Sequence, residues 1–134
     1  MIKPTHIKYF LPLLLVLSNT ALAKNTIEIC EEKMSTTPEF SRCLDGVKAK
    51  KDRELQTWVN NQSFILEELS ATTGRRAALN MFKRSQRNFI SYRENNCRWQ
   101  YLAVSPGTGA AAAFKKCYIT LTQERIEELT NLNE

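Results

Sequence analysis

The sequence has 134 residues, of which 43% are hydrophobic and 25% charged, and its formal net charge is +5. This length supports one domain at most, and the composition is that of a globular protein, which excludes a collagen-like chain or a charged disordered tail. The one histidine, His6, falls in a segment that we expect to be removed. A mature chain without histidine excludes Ser-His-Asp and Cys-His catalysis and a histidine-ligated zinc site. We therefore expect a protein that is not an enzyme and uses no metal or cofactor.

The N-terminus has the three parts of a secretory signal peptide. Two lysines accompany an apolar run of nine residues, 9–17, and an Ala-Leu-Ala sequence follows. A run of nine is too short to span a bilayer, which takes about 20 residues as a helix, and small residues at this spacing mark a cleavage site. We predict a signal peptide over residues 1–23, cleavage after Ala23, and a mature periplasmic or secreted domain over residues 24–134. An uncleaved anchor is the alternative.

Four cysteines remain in the predicted mature chain, and an even number in an exported protein indicates disulfide bonds. No two of them are spaced as C-x-x-C, which disfavours a zinc site and a redox motif. Of the three pairings that four cysteines allow, we favour Cys30–Cys43 and Cys97–Cys117, because each pair brackets a segment rich in loop-forming residues. Each bond would stabilise the fold by roughly 3 kcal/mol if it acts on the entropy of the unfolded chain.

The chain is predicted to be helical throughout, because no stretch alternates apolar and polar residues for long enough to form a strand. We expect a short helix over 25–35 and a long one over about 38–70, with Thr37 as its N-cap. Two more helices are expected over about 75–101 and 110–132. Short connections between long helices make neighbours antiparallel. The predicted fold is therefore an elongated all-α antiparallel bundle of three long helices plus a short N-terminal helix, joined by two disulfides.

Apolar residues recur at three- and four-residue steps along the long helices, as on faces that pack against a core. The stripe on the second helix includes Ile65 and Leu69. On the third helix, Gln86 and Arg93 are seven residues apart and share a face with Ile90. A buried arginine must be paired, because an isolated charge is costly in the core. We expect its partner to be Asp52 or Glu54 on the second helix, or carbonyl groups at a helix end.

Residues at fixed spacing on three helices carry a family pattern. Gln86 begins a segment that continues as Phe-Ile-x-Tyr before Arg93-Glu94-x-x-Cys97, and Cys117 is followed by Thr122-x-x-Arg125 after a glycine-containing loop. Upstream, Asp52-x-x-Leu-x-x-Trp resembles an Asp-x-x-Leu-Asn-x-x-Tyr stretch, with Gln56 and Trp58 in place of the usual Asn and Tyr. This pattern resembles the LprI-like domain family, small exported helical bacterial proteins named after a lysozyme inhibitor. Cys30 and Cys43 also fit the family's N-terminal cysteine pair.

The resemblance implies a cluster of six polar residues. These residues are Asp52, Gln86, Arg93, Glu94, Thr122 and Arg125. Such a cluster either fixes the register of the helices as a buried network or forms part of a partner-binding surface.

The segment between the third and fourth helices, Val104–Gly109, is a candidate binding loop. Gly107 and Gly109 allow a sharp turn, and a bridge between the flanking cysteines would hold the ends of the helices together. A tip that exposes Ser105, Thr108 and free backbone N–H groups could enter the cleft of a glycosidase, which is built around two carboxylates. Otherwise the segment is a plain connection between helices.

Basic residues concentrate in the middle of the chain, where eleven basic and five acidic residues lie between Lys48 and Arg98. Such a region can bind an anionic polymer or an acidic partner, or it can be a solvated face. Arg75 and Arg76 open the third helix, where positive charge opposes the helix dipole. They either neutralise the end of the second helix or form an exposed basic contact. Export argues against nucleic acid as the partner.

The resemblance implies a periplasmic, non-catalytic binding protein that occludes a lysozyme or another peptidoglycan hydrolase. We expect a protein partner, no nucleic acid and no stable membrane insertion. Animal lysozymes are usually strongly basic, and a positively charged inhibitor is not steered toward them, so the charge favours a neutral or acidic hydrolase. The alternative is an envelope interaction or immunity module that binds an anionic surface polymer or a partner protein through the basic middle.

Overall fold

A computed structural model describes residues 26–133 of the protein. The described residues form four helices and no strand, namely α1 (Thr26–Lys33), α2 (Thr37–Thr73), α3 (Ala77–Val104) and α4 (Ala110–Asn131). The predicted all-α fold is thus confirmed. In this part of the chain no helix is long and apolar enough to cross a membrane. The predicted signal peptide and the cleavage site after Ala23 lie outside the described residues.

The start of α2 differs from the prediction by one residue, because Thr36 and not Thr37 is the N-cap. The hydroxyl oxygen of Thr36 accepts a hydrogen bond from the Glu39 backbone N–H at 3.4 Å, and Glu39 Oε2 accepts one from the Thr36 N–H at 3.3 Å. This reciprocal capping box needs its glutamate three residues after the cap, which selects Thr36. The hydrogen bond from the Thr36 side chain holds the pKa of Glu39 below its usual value.

α2 continues to Gly74, beyond the predicted end near residue 70. Gly74 has a φ of 70°, in the left-handed region that glycine adopts without strain, and its N–H donates to Ser70 O at 2.9 Å. With 37 residues, α2 is about 55 Å long. α3 also exceeds its prediction and ends at Val104, because the first helix-breaking residue after it is Pro106.

Both predicted disulfides are present. Cys30–Cys43 joins α1 to α2 with a Cα–Cα distance of 5.7 Å, and Cys97–Cys117 joins α3 to α4 with a distance of 5.4 Å. The first bond fastens the short helix to the bundle. The second fastens the two helices that flank the Val104–Gly109 loop.

α4 packs against both α2 and α3, and two apolar clusters lie along it. The first cluster contains Ile27, Cys30, Leu44 and Ile119 and lies at the end of the bundle that carries α1. The second contains Leu55, Ile126 and Leu129, against which Trp58, Val59, Phe82 and Phe89 pack. Because α4 contributes to both clusters, it holds the two longer helices together.

Three residues that we expected on packed apolar stripes are exposed. Ile65 and Leu69 on α2 are 39% and 46% exposed, and Ile90 on α3 is 47% exposed. On α3 the neighbouring Phe89 takes the core position instead. On α2 the stripe continues past the end of α4, so α4 does not cover it.

α2 and α3 extend beyond α4 as a two-helix hairpin. α4 ends at Asn131, and Asn61 Nδ2 on α2 donates to Asn133 Oδ1 at 3.4 Å just after it. The rest of α2, residues 62–73, adds about 18 Å before the turn at Gly74. We call residues 62–84 the arm. The arm lies at the end of the molecule opposite the α3–α4 loop.

Candidate functional site

Arg93 is buried on α3 and contacts residues of both other long helices. Its Nη1 donates to Thr122 Oγ1 on α4 at 2.8 Å and lies 3.4 Å from Asp52 Oδ1 on α2. The guanidinium carbon is 3.8 Å from the centroid of the Tyr118 ring, a cation–π contact. Arg93 therefore connects all three long helices, and Asp52 is the ion-pair partner among the candidates that the sequence offered.

Tyr118 completes this group and was missed by the sequence analysis. Its hydroxyl donates to Asp52 Oδ1 at 2.9 Å, and Lys48 Nζ lies 4.2 Å from its ring centroid. Lys48 is also 3.9 Å from the other carboxylate oxygen of Asp52. The available signal was spacing, because Tyr118 lies one helical turn before Thr122 and directly after Cys117.

The environment of Tyr118 gives a testable pH dependence. Burial, together with the hydrogen bond to Asp52, raises the pKa of Tyr118 to about 12. An unfolded chain deprotonates this group near pH 10, so its stabilising contribution is complete below about pH 10 and is lost as the pH rises through about 12. We expect an ultraviolet titration of tyrosinate to show a step near pH 12 that Tyr118→Phe removes. If this substitution instead removed a step near pH 10, the buried environment would be contradicted.

Arg125 forms a second polar group, further along α4. Its Nε donates to Gln86 Oε1 at 3.2 Å and its Nη2 to Ser85 Oγ at 3.3 Å, so it links α4 to α3. Its Nη1 donates to Glu128 Oε2 at 2.6 Å on the same helix. Gln86, on the apolar stripe of α3, thus has a buried arginine as its partner.

Five of the six residues in the predicted polar cluster therefore form two separate groups, one around Arg93 and one around Arg125. The guanidinium carbons of Arg93 and Arg125 lie 5.3 and 5.8 Å from the centroid of the Phe89 ring, so both groups contact one aromatic residue. Glu94 does not join either group. It faces away from the core and pairs with Arg98, one turn further along α3, at 3.4 Å. The reason is the helical period, which turns position 94 by about 100° from Arg93.

The burial of the two arginines bears on their role. Arg93 and Arg125 are 7% and 8% exposed, so they offer little surface to a partner. Each makes side-chain hydrogen bonds to other helices, and these bonds favour one register of the helices over others. This geometry supports the interpretation that the family motif fixes the packing of the bundle.

The α3–α4 loop is exposed and is closed by its own hydrogen bonds. The Ser105 N–H donates to Tyr101 O at 2.9 Å, the Gly107 N–H to Val104 O at 2.9 Å, and the Ala110 N–H to Gly107 O at 3.2 Å. A Cβ atom at Gly107 would lie 2.8 Å from Val104 O, which is too close for any other residue in this backbone. The loop therefore has one compact shape.

Donor groups and apolar side chains are both available at this end of the bundle. Within the described chain, the backbone N–H groups of Thr108 and Gly109 donate to no backbone acceptor. On the last two turns of α3, Trp99, Leu102 and Val104 are 58%, 62% and 45% exposed. This end thus combines free donors with an apolar surface, as protein interfaces do.

Arg75 and Arg76 are exposed at the turn between α2 and α3. Arg76 occupies the N-cap position of α3 but makes no capping hydrogen bond with its side chain. At the end of α2, the hydroxyls of Thr72 and Thr73 both donate to Leu69 O, and the Gly74 N–H donates to Ser70 O. Both arginine side chains are therefore exposed, which is compatible with each of the two predicted roles.

Residues 30–129 match the family described as lysozyme inhibitor LprI. The chain belongs to this family. The matched segment spans both disulfides and all residues of the two arginine groups, so the LprI resemblance of the sequence is confirmed. No curated protein and no solved structure matches the chain. Membership of the LprI family implies a lysozyme-inhibitor-like function and suggests a protein partner such as lysozyme.

Proposed function

We propose that this protein is a non-catalytic inhibitor that binds a lysozyme or another peptidoglycan hydrolase in the periplasm or outside the cell. Membership of the LprI family over residues 30–129 carries the proposal. The predicted signal peptide over residues 1–23 supports export, and two disulfides are typical of small proteins in oxidising compartments.

We assign the contact with the hydrolase to the α3–α4 loop, with Ser105, Gly107, Thr108 and Gly109 at its tip. The Cys97–Cys117 bond ties the two flanking helices together about two turns below the loop. Because the disulfide and the hydrogen bonds of the turn restrict the loop before binding, little conformational entropy remains to be lost in a complex. A restricted, protruding segment is suited to enter a cleft.

The chemistry of the loop matches that of a glycosidase cleft. Residues 105–109 carry hydroxyl groups and free N–H groups but no ionisable side chain. Such donors can hydrogen-bond the two carboxylates around which these clefts are built. The exposed Trp99, Leu102 and Val104 provide apolar area beside the tip. The positive charge of the chain still slows its encounter with a basic lysozyme, so we propose a neutral or acidic hydrolase as the preferred target.

Inhibition should be lost when the tip of the loop is enlarged. Thr108→Trp adds bulk where the loop would enter the cleft, and we expect inhibition of peptidoglycan lysis to weaken at least about tenfold, the effect of losing roughly 1.4 kcal/mol. The measurement is a lysis assay with several lysozymes of different net charge. Helical circular dichroism should be unchanged, because Thr108 is exposed.

The matched control is Asn88→Trp, which places the same side chain at an exposed position of α3 away from the loop. This control should inhibit as the unchanged protein does. Equal inhibition by Thr108→Trp would remove the loop from the proposed contact. If the intact oxidised protein inhibited none of the hydrolases, the proposed function itself would be wrong.

A further inference from the structure

The end of the arm and the part of α3 that follows it carry a run of basic residues that contains no acidic residue. Between Glu68 and Glu94 the sequence has six basic residues and no acidic one. Five of the six are exposed, and only Arg93 is buried. The family motif does not explain this local excess of positive charge, because its two arginines, Arg93 and Arg125, face the core.

Most of these exposed residues lie on one face of α3. Arg76, Asn80, Lys83, Arg84 and Arg87 follow one another at steps of one to four residues, which places them within about one third of the helix circumference. From the first to the last, this face is about 16 Å long. We call these five residues the basic face.

The charges of the basic face are largely uncompensated. Lys83 Nζ pairs with Glu67 Oε1 on α2 at 3.3 Å. Within residues 26–133, Arg76, Arg84 and Arg87 have no carboxylate within ion-pair distance. Arg76 also opens α3, where the helix dipole disfavours positive charge. Apart from the Lys83–Glu67 pair, the charges of the basic face form no ion pair that would stabilise the fold, so they are available to an external anion.

We propose that the basic face binds a linear anionic polymer of the cell envelope. An open groove of about 500 Å³ runs along this side of α3, lined by Ala77, Asn80, Met81, Lys83, Arg84 and Arg87. The planar guanidinium groups bind phosphate and carboxylate groups through paired N–H donors, and Asn80 adds an amide donor between them. A face about 16 Å long reaches several anionic groups of one polymer chain.

The chemistry of the face favours a polymer over other anionic partners. Its five residues are all polar or basic, and Met81 is the one large apolar side chain that lines the groove, whereas surface-bound helices insert a whole apolar face into the acyl region of a membrane. Two copies of the protein would bring like charges together. The face also lies on the helix that carries the α3–α4 loop but about 27 Å from it along α3, from Arg87 to Ser105. Polymer binding and hydrolase binding can therefore occur at the same time.

The experiment measures the binding of inorganic polyphosphate to the mature, oxidised protein, with no hydrolase present, so its result is independent of the proposed inhibition. We expect binding at low ionic strength that weakens as salt is added. Arg84→Glu with Arg87→Glu should lower the affinity at least about tenfold, because two contacts are lost and two repulsive charges are added.

The matched control is Arg42→Glu with Arg53→Glu, which changes the net charge equally at exposed positions of α2. This control variant should bind polyphosphate with an affinity within about threefold of that of the unchanged protein, since the substituted positions are remote from the bound polymer. Equal losses in the two variants would mean that only net charge matters and would overturn the basic face. Absence of polyphosphate binding at low salt would also overturn the proposal. Binding to phosphatidylglycerol vesicles without binding to polyphosphate would replace it with a membrane surface.

Discussion

Replacing Arg93 with alanine should lower the free energy of unfolding by about 3 kcal/mol. Removal of one partner from a buried ion pair costs about 3 to 5 kcal/mol. We expect the lower end of this range, because Asp52 is 38% exposed at its side chain and keeps its contacts with Lys48 and Tyr118. A loss of this size lowers the Tm of a domain of about 100 residues by more than 10 °C. Thermal and urea unfolding followed by circular dichroism would measure it.

Two further substitutions at this position separate charge from shape. Arg93→Lys keeps the charge but has a shorter reach and lacks the planar guanidinium group that contacts the Tyr118 ring, so we expect an intermediate loss of stability. Arg93→Met keeps most of the volume and removes the charge. If it is as stable as the unchanged protein, packing and not the ion pair supplies the stability at this site.

The control is Arg84→Ala, because Arg84 is exposed and has no ion-pair partner in the described chain. It should change the stability by no more than about 0.5 kcal/mol. The structural role of Arg93 would be contradicted if Arg93→Ala unfolded like the unchanged protein and lost hydrolase inhibition. Arg93 would then belong to a binding surface.

Removing the Cys97–Cys117 bond by the double substitution Cys97→Ser with Cys117→Ser should also cost about 3 kcal/mol of stability. The two cysteines are 20 residues apart, and closing a loop of this length restricts the unfolded chain by about that amount. Cys97 is fully buried, so the serine hydroxyl that replaces its sulfur adds a desolvation penalty. Chemical unfolding of the oxidised protein and the double variant would give the difference.

The Cys30–Cys43 bond provides the comparison, since its cysteines are 13 residues apart and the expected stabilisation is similar. This bond holds α1 to α2, whereas the Cys97–Cys117 bond holds the helices on both sides of the loop. Under conditions in which both double variants remain folded, only the loss of Cys97–Cys117 should weaken hydrolase inhibition. Equal inhibition by the two variants would contradict the contact through the loop.

Local sequence signals predicted the elements of this fold well, since each depends on residues close together in the chain. The glycine at position 74 ends α2, and the Pro-Gly segment at 106–107 separates α3 from α4. The predicted N-cap of α2 was wrong by one residue, because Thr36 and Thr37 are chemically equivalent as N-caps. Only the position of Glu39 distinguishes them, through the spacing of the capping box.

The candidate site was predicted less completely, because helical periodicity assigns residues to faces but does not say which faces meet. Asp52 was a candidate partner of Arg93 on charge alone, whereas the contact of Tyr118 with both residues depends on the position of α4. The division of the motif between Arg93 and Arg125 likewise depends on which α3 residues lie opposite α4.

The sequence by itself determined the helices and the family, because these are fixed by short spacings and by motif. It also favoured the observed cysteine pairing among the three that four cysteines allow. Tertiary structure alone decided which parts of the predicted apolar stripes are buried. Ile65 and Leu69 continue the stripe of α2 after an interruption at Gln62, yet they are exposed, because α4 is shorter than α2 and ends near Asn61. An apolar residue is buried only where another element covers it, and that coverage depends on the relative lengths and positions of the packed helices.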